Sequence, residues 1–283
     1  MNVKHYDLIQ IMDRASFGLG VGAPHKHDLY LSPHCDDVAF SLGQHATDAG
    51  KGRLLVLFSR STYMMNKKQR ADEKIDGLAP EDKIAAVSKI RCNEERAFAA
   101  KVGMEVTFAD LDDAPVRGRE TADTEPAPDD STRFLGRLSD DETGRLAARI
   151  MDQIRHPAVG GSGRKPTLYC PAGIGRHLDH LVVRNTVIRH LSELKGTYGI
   201  AFYEELRYSS DRHAREDGLR DLFIQLRPTL PWRHIVTLPD PAKKLELVNM
   251  YPSQFDKPVQ ELREFTPGTR VSGAAPHEAL WLL

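Results

Sequence analysis

The sequence predicts an α/β protein with a mainly parallel sheet and helices on both of its faces. Short apolar runs alternate along the chain with longer segments of helical periodicity, and parallel strands need crossover connections of that length. Two of these runs, residues 28–33 and 53–59, are rich in leucine, valine and aromatic residues, as expected of strands buried on both faces. The helical segment between them completes a βαβ unit.

The first two predicted helices have recognisable ends. Residues 36–49 carry apolar side chains at helical spacing, and Gly50 follows where a helix should stop. Residues 80–102 begin with a proline, have two acids in the first turn where the helix dipole favours them, and are followed by Gly103. Between these helices, residues 61–80 are predicted to form a polar connection.

The rest of the chain continues the alternation around one polar interruption. Strands are predicted at residues 105–111, 166–170, 198–206 and 232–238, and helices at 140–155, 177–194 and 240–250. Residues 112–138 are rich in Pro, Asp, Glu and Thr with little apolar periodicity, and we interpret them as a surface insertion. We expect a single domain over residues 1–283, because no low-complexity linker divides the chain.

The composition limits the kinds of partner. The chain has 39 Lys and Arg against 40 Asp and Glu, and a net charge of -1 provides no field that would attract nucleic acid or anionic lipid. The three cysteines are far apart and form no CxxC pair, which argues against a disulfide framework. The N-terminal residues carry charges throughout, and no stretch approaches about 18 apolar residues. We therefore expect a cytoplasmic protein with neither a nucleic-acid partner nor a membrane partner.

A first polar cluster follows a predicted strand, at the end of the sheet where open α/β proteins bind ligands. The stretch SPHCDDVAFSLG, residues 32–43, places His34, Asp36 and Asp37 directly after the first strand. Taken alone, these residues could be only a helix start, because acids are favoured in a first turn and Asp is a good cap.

A second cluster, GIGRHLDH at residues 173–180, follows a later strand, and its glycines would let the backbone approach a ligand closely. Within each cluster, ligand-type residues three positions apart share a face: His34 with Asp37, and His177 with His180. Two imidazoles and one carboxylate with an open fourth position form the ligand set of a catalytic zinc site, where the metal lowers the pKa of bound water towards 7. The remaining acid of the first cluster could then accept that proton. A solvated histidine pair is the alternative interpretation.

Together, SPHCDDVAFSLG and GIGRHLDHLVVRN resemble the PIG-L/LmbE-like N-acetylglucosaminyl deacetylase family. Its members pair an (A/S)PHxDD motif with a later HxDH motif on a Rossmann-like fold, and they use zinc to remove acetyl groups from N-acetylated amino sugars and related conjugates. Weaker similarities are RCNEERAFAAKVG at 91–103, FYEELRY at 202–208 and YPSQF at 251–255. The resemblance extends over roughly residues 28–283, apart from the insertion.

Carried onto this chain, the resemblance implies that the zinc ligands are His34, Asp37 and His180. Asp36 becomes the general base that activates water and then protonates the leaving amine. His177 becomes the partner of the tetrahedral oxyanion, and Asp179 orients His177, as carboxylates commonly do for imidazoles at metal sites.

Two further residues are candidates for substrate contact. The resemblance implies that Arg91, on the R-x-x-E helix, contacts substrate, although a surface ion pair with Glu94 is an equally good interpretation. Asp113 and Arg117 begin the insertion and could either line the substrate mouth or be solvated loop charges.

The first motif departs from the family pattern at two positions. Cys35 stands where the family usually has proline, and Val38 stands where many members have glutamate. Neither change removes a predicted ligand. Loss of the proline could loosen the turn, and the Cys35 thiol could in principle bind metal, whereas the valine puts the identity of the substrate in question.

The sequence thus predicts a zinc-dependent hydrolase that removes an acetyl group from an N-acetyl amino sugar or a related N-acylated conjugate, a small-molecule partner. Hydrolysis of another amide and a non-catalytic metal-binding module are the alternatives. Another divalent metal would also suit the ligand set, which does not select zinc by affinity alone. Selectivity would lie in the loops at 61–80, 112–138 and 207–232, and a homo-oligomer is compatible with the sequence.

Overall fold

The described residues form one seven-stranded sheet. The computed structural model describes residues 25–119, 139–155, 165–229, 231–268 and 275–283. The strands are β1 (Leu29–Ser32), β2 (Arg53–Val56), β3 (Glu105–Phe108), β4 (Thr167–Pro171), β5 (Gly199–Tyr203), β6 (Trp232–Thr237) and β7 (His277–Leu282). Their order is β3-β2-β1-β4-β5-β7-β6; strands β1 to β5 are parallel, and β7 is antiparallel to β5 and β6. The predicted, mainly parallel α/β sheet is confirmed.

Helices cover both faces of this sheet. They are α1 (Asp37–Ala49), α2 (Lys67–Asp72), α3 (Pro80–Val102), α4 (Asp140–Ile154), α5 (Leu178–Arg189), α6 (Leu191–Thr197), α7 (Arg212–Gln225) and α8 (Pro241–Val248). One large apolar cluster contains side chains of α4, α5 and α7, and another contains side chains of α1, α3 and α8. Along β1, Leu29 and Leu31 belong to the first cluster and Tyr30 to the second, because successive strand residues face opposite sides.

The elements agree with the sequence prediction except in four places. The polar connection contains the short helix α2, and the single helix predicted at 177–194 is instead the pair α5 and α6, separated at His190. The helix α7 lies inside 207–232, which we interpreted as a loop because charged residues outnumber the few apolar side chains of its buried face. The strand β7 has no counterpart in the prediction.

Residues 1–24, 120–138, 156–164, 230 and 269–274 lie outside the described residues, and 120–138 are most of the predicted insertion. Residues 112–119 of the insertion are described and consist mainly of turns. Among the helices that the structure describes, none is long and apolar enough to cross a membrane.

Pairing of β1 with β4 brings the two polar clusters to one edge of the sheet. The strands run parallel, with Leu29 opposite Leu168 and Tyr30 opposite Tyr169. In the order of strands, β2 lies beyond β1 and β5 lies beyond β4. The chain therefore continues from β1 and from β4 towards opposite edges of the sheet. This is the switch point at which open α/β sheets form a ligand crevice.

A buried ion pair supports the helix that carries the first cluster. The backbone of α1 departs from helical geometry at Leu42, with φ of -132° and ψ of 20°. Glu278, on β7, accepts hydrogen bonds from the N–H groups of Gln44 and His45 at 2.8 and 2.9 Å. Lys244, on α8, pairs with Glu278 and donates to the carbonyl of Ala39 at 3.1 Å. The pair thereby satisfies backbone groups on both sides of the irregular turn.

We predict that Lys244→Met lowers the free energy of unfolding by about 3–5 kcal/mol, because it leaves the fully buried Glu278 carboxylate without its cation. Urea denaturation followed by circular dichroism measures the change. Lys243→Met, one residue earlier on the exposed face of α8, is the matched control and should change stability by less than about 0.5 kcal/mol. Equal stability of the two variants would contradict this role for Lys244.

Candidate active site

The turn after β1 holds the first cluster in a strained conformation. Asp36 has a φ of 120°, which costs a non-glycine residue of order 1–3 kcal/mol. Its N–H donates to Glu95 at 2.9 Å, and the N–H of His34 donates to Asp37 Oδ2 at 2.7 Å. Ser32, the last residue of β1, donates to the carbonyl of His34 at 2.6 Å. These contacts maintain a backbone that local preference alone would not adopt.

The turn after β4 positions His177 as the cap of α5. Its Nδ1 accepts a hydrogen bond from the N–H of Asp179 at 3.3 Å, so the proton of the neutral ring lies on Nε2. Burial lowers the pKa of His177 to about 3, which keeps the ring neutral. The backbone at the second glycine before it is closely packed. A Cβ on Gly175 would lie 2.3 Å from the Tyr208 ring, so glycine is needed there to admit an aromatic side chain.

Three potential ligand atoms form a nearly equilateral triangle where the two turns meet. His34 Nδ1 lies 3.4 Å from Asp37 Oδ2, His180 Nε2 lies 3.3 Å from the same oxygen, and the two imidazole nitrogens are 3.3 Å apart. Ligands bound tetrahedrally at 2.0–2.2 Å from zinc are separated by about 3.3–3.6 Å. The donor types and their spacing therefore fit a tetrahedral metal site with one open position.

A second grouping of ligand atoms is also present in this region. The imidazoles of His34, His177 and His180 have nitrogens that all lie within 4.8 Å of one another. Asp37 is a better third ligand than His177. The distances from Asp37 Oδ2 to the two imidazole nitrogens match those of a tetrahedral site, whereas Nδ1 of His177 already accepts the hydrogen bond that caps α5.

Each histidine of the triangle has a carboxylate behind it. His34 Nε2 lies 2.9 Å from Asp179 Oδ2, and His180 Nδ1 lies 3.4 Å from Glu205 Oε1. Burial alone would lower both histidine pKa values, but these carboxylates and Asp37 outweigh it and raise the pKa to about 9 for His34 and about 10 for His180. Such outer carboxylates fix the tautomer and orientation of metal-binding imidazoles.

Asp179 therefore contacts a different histidine from the one that the resemblance implied. Its carboxylate approaches His34 at 2.9 Å but stays 4.0 Å from His177 Nδ1, and only its backbone N–H orients His177. Glu205 was not singled out from the sequence. It lies in the stretch FYEELRY, which was noted for its similarity to the family without a role for this residue.

Asp36 lies beside the triangle with its carboxylate held by Arg91. The distance from Arg91 to Asp36 Oδ2 is 3.1 Å. The Gln254 amide fits this network best when its nitrogen donates to the same oxygen at 3.3 Å and its oxygen accepts from Arg91. Burial raises the pKa of Asp36 to about 7, against the opposing charge of Arg91. A carboxyl group with that pKa is suited to accepting and returning a proton near neutral pH.

Arg91 and Glu94 do not form the surface ion pair that we considered. Both side chains are buried; Arg91 donates to Ser61 and to the carbonyl of Cys35 at 3.1 and 2.9 Å. Glu94 accepts instead from the N–H of Ser253 at 2.8 Å. The two residues are therefore connected indirectly, through Gln254 and Ser253, and Arg91 lines the cavity described below.

Asp113 and Arg117 also differ from solvated loop charges. Asp113 is buried, lines the cavity described below, and accepts from the N–H of Val116 at 3.0 Å. Arg117 donates to Asp179 Oδ1 at 2.6 Å. Arg117 therefore faces the back of the metal triangle, whereas Asp113 faces the substrate side.

The residues that depart from the family pattern point away from the ligand triangle. The Cys35 sulfur lies 4.0 Å from the Cys92 sulfur, and both cysteines belong to the apolar cluster under α1 and α3. Val38 is fully buried in the same cluster. Cys35 thus packs as an apolar side chain.

A cavity of about 600 Å³ opens above the triangle. It is lined by His34, Asp36, Asp37, Phe40, Tyr63, Met65, Arg91, Asp113, Pro115, His177, Leu206, Arg207, Tyr208, Ser210, Asp211, Ala214, Gln254 and Glu264. All three loops expected to carry selectivity contribute to this wall, and so do Gln254 and Glu264. Gln254 lies in the stretch YPSQF, which resembles the family without indicating a role for this residue, and no sequence pattern points to Glu264.

Comparison with known proteins finds deacetylases among the relatives of this chain. No family model matches the chain. The sequence is 27% identical over 282 residues to 2'-N-acetylparomamine deacetylase of Streptomyces fradiae, covering 89% of this chain and 88% of that protein. A triple mutant of a deacetylase of teicoplanin biosynthesis superposes with a TM-score of 0.57 at 18% identity, covering 90% of this chain and 96% of the other. The zinc-inhibited form of teicoplanin deacetylase Orf2 gives a TM-score of 0.50 at 17% identity with the same coverage.

The two structural likenesses support the fold, and the curated relative extends the similarity over most of both chains. Taken with the paired motifs and their meeting at one sheet edge, these comparisons confirm the predicted resemblance of this chain to the PIG-L/LmbE-like deacetylases.

Proposed function

We propose that this protein is a zinc-dependent hydrolase that removes the acetyl group from an N-acetyl amino sugar or a related N-acylated conjugate. The observation that carries the proposal is the triangle of ligand atoms, with edges of 3.3–3.4 Å, beside Asp36 at the floor of the cavity. The similarity to a deacetylase that is named for an N-acetylated amino sugar supports this substrate class.

His34, Asp37 and His180 would hold the metal. When bound, zinc would polarise the amide carbonyl and lower the pKa of the attacking water. The buried carboxylates behind the two histidines, Asp179 and Glu205, would keep the imidazoles in the orientation that the triangle requires.

Asp36 would carry the proton through the reaction. Its carboxylate would take a proton from the attacking water as the new bond from oxygen to the acetyl carbon forms. It would then give that proton to the amine nitrogen as the C–N bond breaks, which yields the free amine and acetic acid, and the acid ionises to acetate. The contact with Arg91 fixes the carboxylate for both transfers.

His177 would stabilise the charge that develops on the carbonyl oxygen. Because its Nδ1 accepts the backbone hydrogen bond, its Nε2–H is the donor that remains, and the residue lines the cavity. Donors placed in advance for a developing oxyanion are usually a large part of catalysis. Arg91 and Asp113, also on the wall, would bind polar groups of the substrate.

The cavity suits a small glycoconjugate. Its volume of about 600 Å³ lies in the range of small-molecule sites, about 300–1,000 Å³. Its wall combines charged residues with the apolar surfaces of Phe40 and Tyr63. An amino sugar offers both hydroxyl groups for the former and C–H surface for the latter.

We predict that Asp36→Asn lowers kcat for deacetylation by about 100-fold to 10,000-fold, the usual contribution of a positioned base, while one equivalent of metal stays bound. Asparagine keeps the side-chain size and tolerates positive φ better than most residues. Amine release from a panel of N-acetyl amino sugars measures the rate. Asp72→Asn, on the exposed helix α2, is the control. Full activity of an Asp36 variant would exclude this base.

We predict that stripping the metal abolishes amine release and that one equivalent of zinc restores it. Because a structural relative is known in a zinc-inhibited form, zinc should be titrated from below one equivalent, in parallel with other divalent cations. His180→Ala should lose the bound metal, as measured by elemental analysis, whereas the half-buried His190→Ala should keep it. Turnover that is unaffected by complete metal removal would refute the proposed function.

A further inference from the structure

Arg117 is held in place on three sides. Its three side-chain nitrogens donate to Asp179 Oδ1 at 2.6 Å, to Glu142 Oε1 at 3.2 Å, and to the carbonyl of Asp112. The guanidinium also lies over the Phe58 ring at 5.1 Å. With 12% of its side chain exposed, Arg117 has little freedom to take another position.

The Asp179 carboxylate has its two oxygens engaged on different partners. Oδ1 accepts from Arg117, while Oδ2 accepts from the N–H of Ala114 at 2.9 Å and faces His34 Nε2 at 2.9 Å. The side chain is fully buried. Rotation of this carboxylate towards His34 or away from it would therefore have to break the contact with Arg117.

The His34 ring connects the Asp179 carboxylate to the ligand triangle. The ring nitrogen that faces Asp179 is Nε2, and the other nitrogen, Nδ1, is a corner of the triangle, 3.3 Å from His180 Nε2. An imidazole is rigid, so the direction of Nε2 sets the direction of Nδ1.

We propose that Arg117 is a positioning residue for the metal centre, where it orients the Asp179 carboxylate and, through it, the metal ligand His34. This inference rests on the metal site of the proposed function and adds to it a residue from outside both sequence motifs. It also assigns a role to the start of the predicted insertion: the turn that supplies Asp113 to the substrate wall also binds the back of the metal centre through Ala114 and Arg117.

The chain contains a matched control for this role. Arg119 donates to Glu142 Oε2 at 2.6 Å, so it shares an ion-pair partner and a turn with Arg117. Its described contacts include Glu142 but not Asp179. Replacing either arginine by methionine removes one cation from the same carboxylate of α4, but only Arg117→Met removes the donor to Asp179.

The test is titration of metal-free, full-length protein with Co²⁺, followed by its visible absorption. Loss of an outer-shell partner typically weakens metal binding by 10–100-fold, and we expect Arg117→Met to weaken it by about 10-fold and to alter the absorption band. Arg119→Met should bind within about 2-fold of wild type. Arg117→Lys keeps the charge without the planar fork, so its affinity should lie between those of wild type and Arg117→Met. Thermal unfolding of each metal-free variant establishes that it is folded.

A double-mutant cycle separates positioning from general loss of structure. Asp179→Ala should itself weaken Co²⁺ binding, and adding Arg117→Met to it should weaken binding no further, because both changes remove the same contact. Additive effects, or a titration of Arg117→Met that coincides with that of Arg119→Met, would overturn the positioning role and leave the proposed function intact. A wild-type protein that binds no Co²⁺ and needs no metal for turnover would overturn both.

Discussion

The parallel pairing of β1 with β4 is the constraint on which the site depends. His34 and His180 are 146 positions apart in the chain, yet each belongs to a polar cluster that follows one of these neighbouring strands. A slip of one residue in the pairing would move one cluster by about 3.3 Å relative to the other. That displacement equals an edge of the ligand triangle, 3.3–3.4 Å. The register of the sheet, which the apolar side chains on its two faces maintain, therefore also sets the geometry available to a metal.

The site places several charged groups in a buried environment, where an unpaired charge is destabilising. A buried carboxylate is tolerated when it is paired and hydrogen-bonded. Asp37 faces two imidazoles, Asp179 faces an imidazole and an arginine, and Glu205 accepts from two backbone N–H groups as well as facing His180. Burial opposes ionisation of Asp37, but the neighbouring His180 and His34 hold its pKa well below its ordinary value. A divalent cation held by Asp37 and the two histidines would add positive charge that offsets the charge of these acids.

The sequence predicted those parts of the site that follow directly from strand ends. Both motifs could be placed because each comes after a short apolar run, and α3 had the predicted bounds because Pro80 and Gly103 mark its two ends. The role of Glu205 could not be predicted, since it depends on β5 lying beside β4, and the order of strands in a sheet is not encoded in their periodicity. The sequence allows two interpretations of Arg117, a residue of the substrate mouth or a solvated loop charge, and its contact with Asp179 matches neither. Its position depends on a turn whose composition resembles that of a solvated loop.

The strained backbone of Asp36 is supported by residues that lie outside the two motifs. Its N–H is held by Glu95, which in turn accepts from the Tyr251 hydroxyl at 2.8 Å. Burial raises the pKa of Glu95 to about 8, so that at neutral pH it can accept these hydrogen bonds without adding another full negative charge beside Asp36.

The usual proline of this motif would restrict the preceding turn through its ring, which fixes φ and lowers the entropy of the unfolded chain. Here Cys35 is held instead by contacts in the folded state, because its carbonyl accepts from Arg91 and its sulfur packs against Cys92. The same arginine holds the Asp36 carboxylate at 3.1 Å. In this chain, therefore, a single side chain of α3 both supports the turn and orients the residue to which we assign the proton transfers.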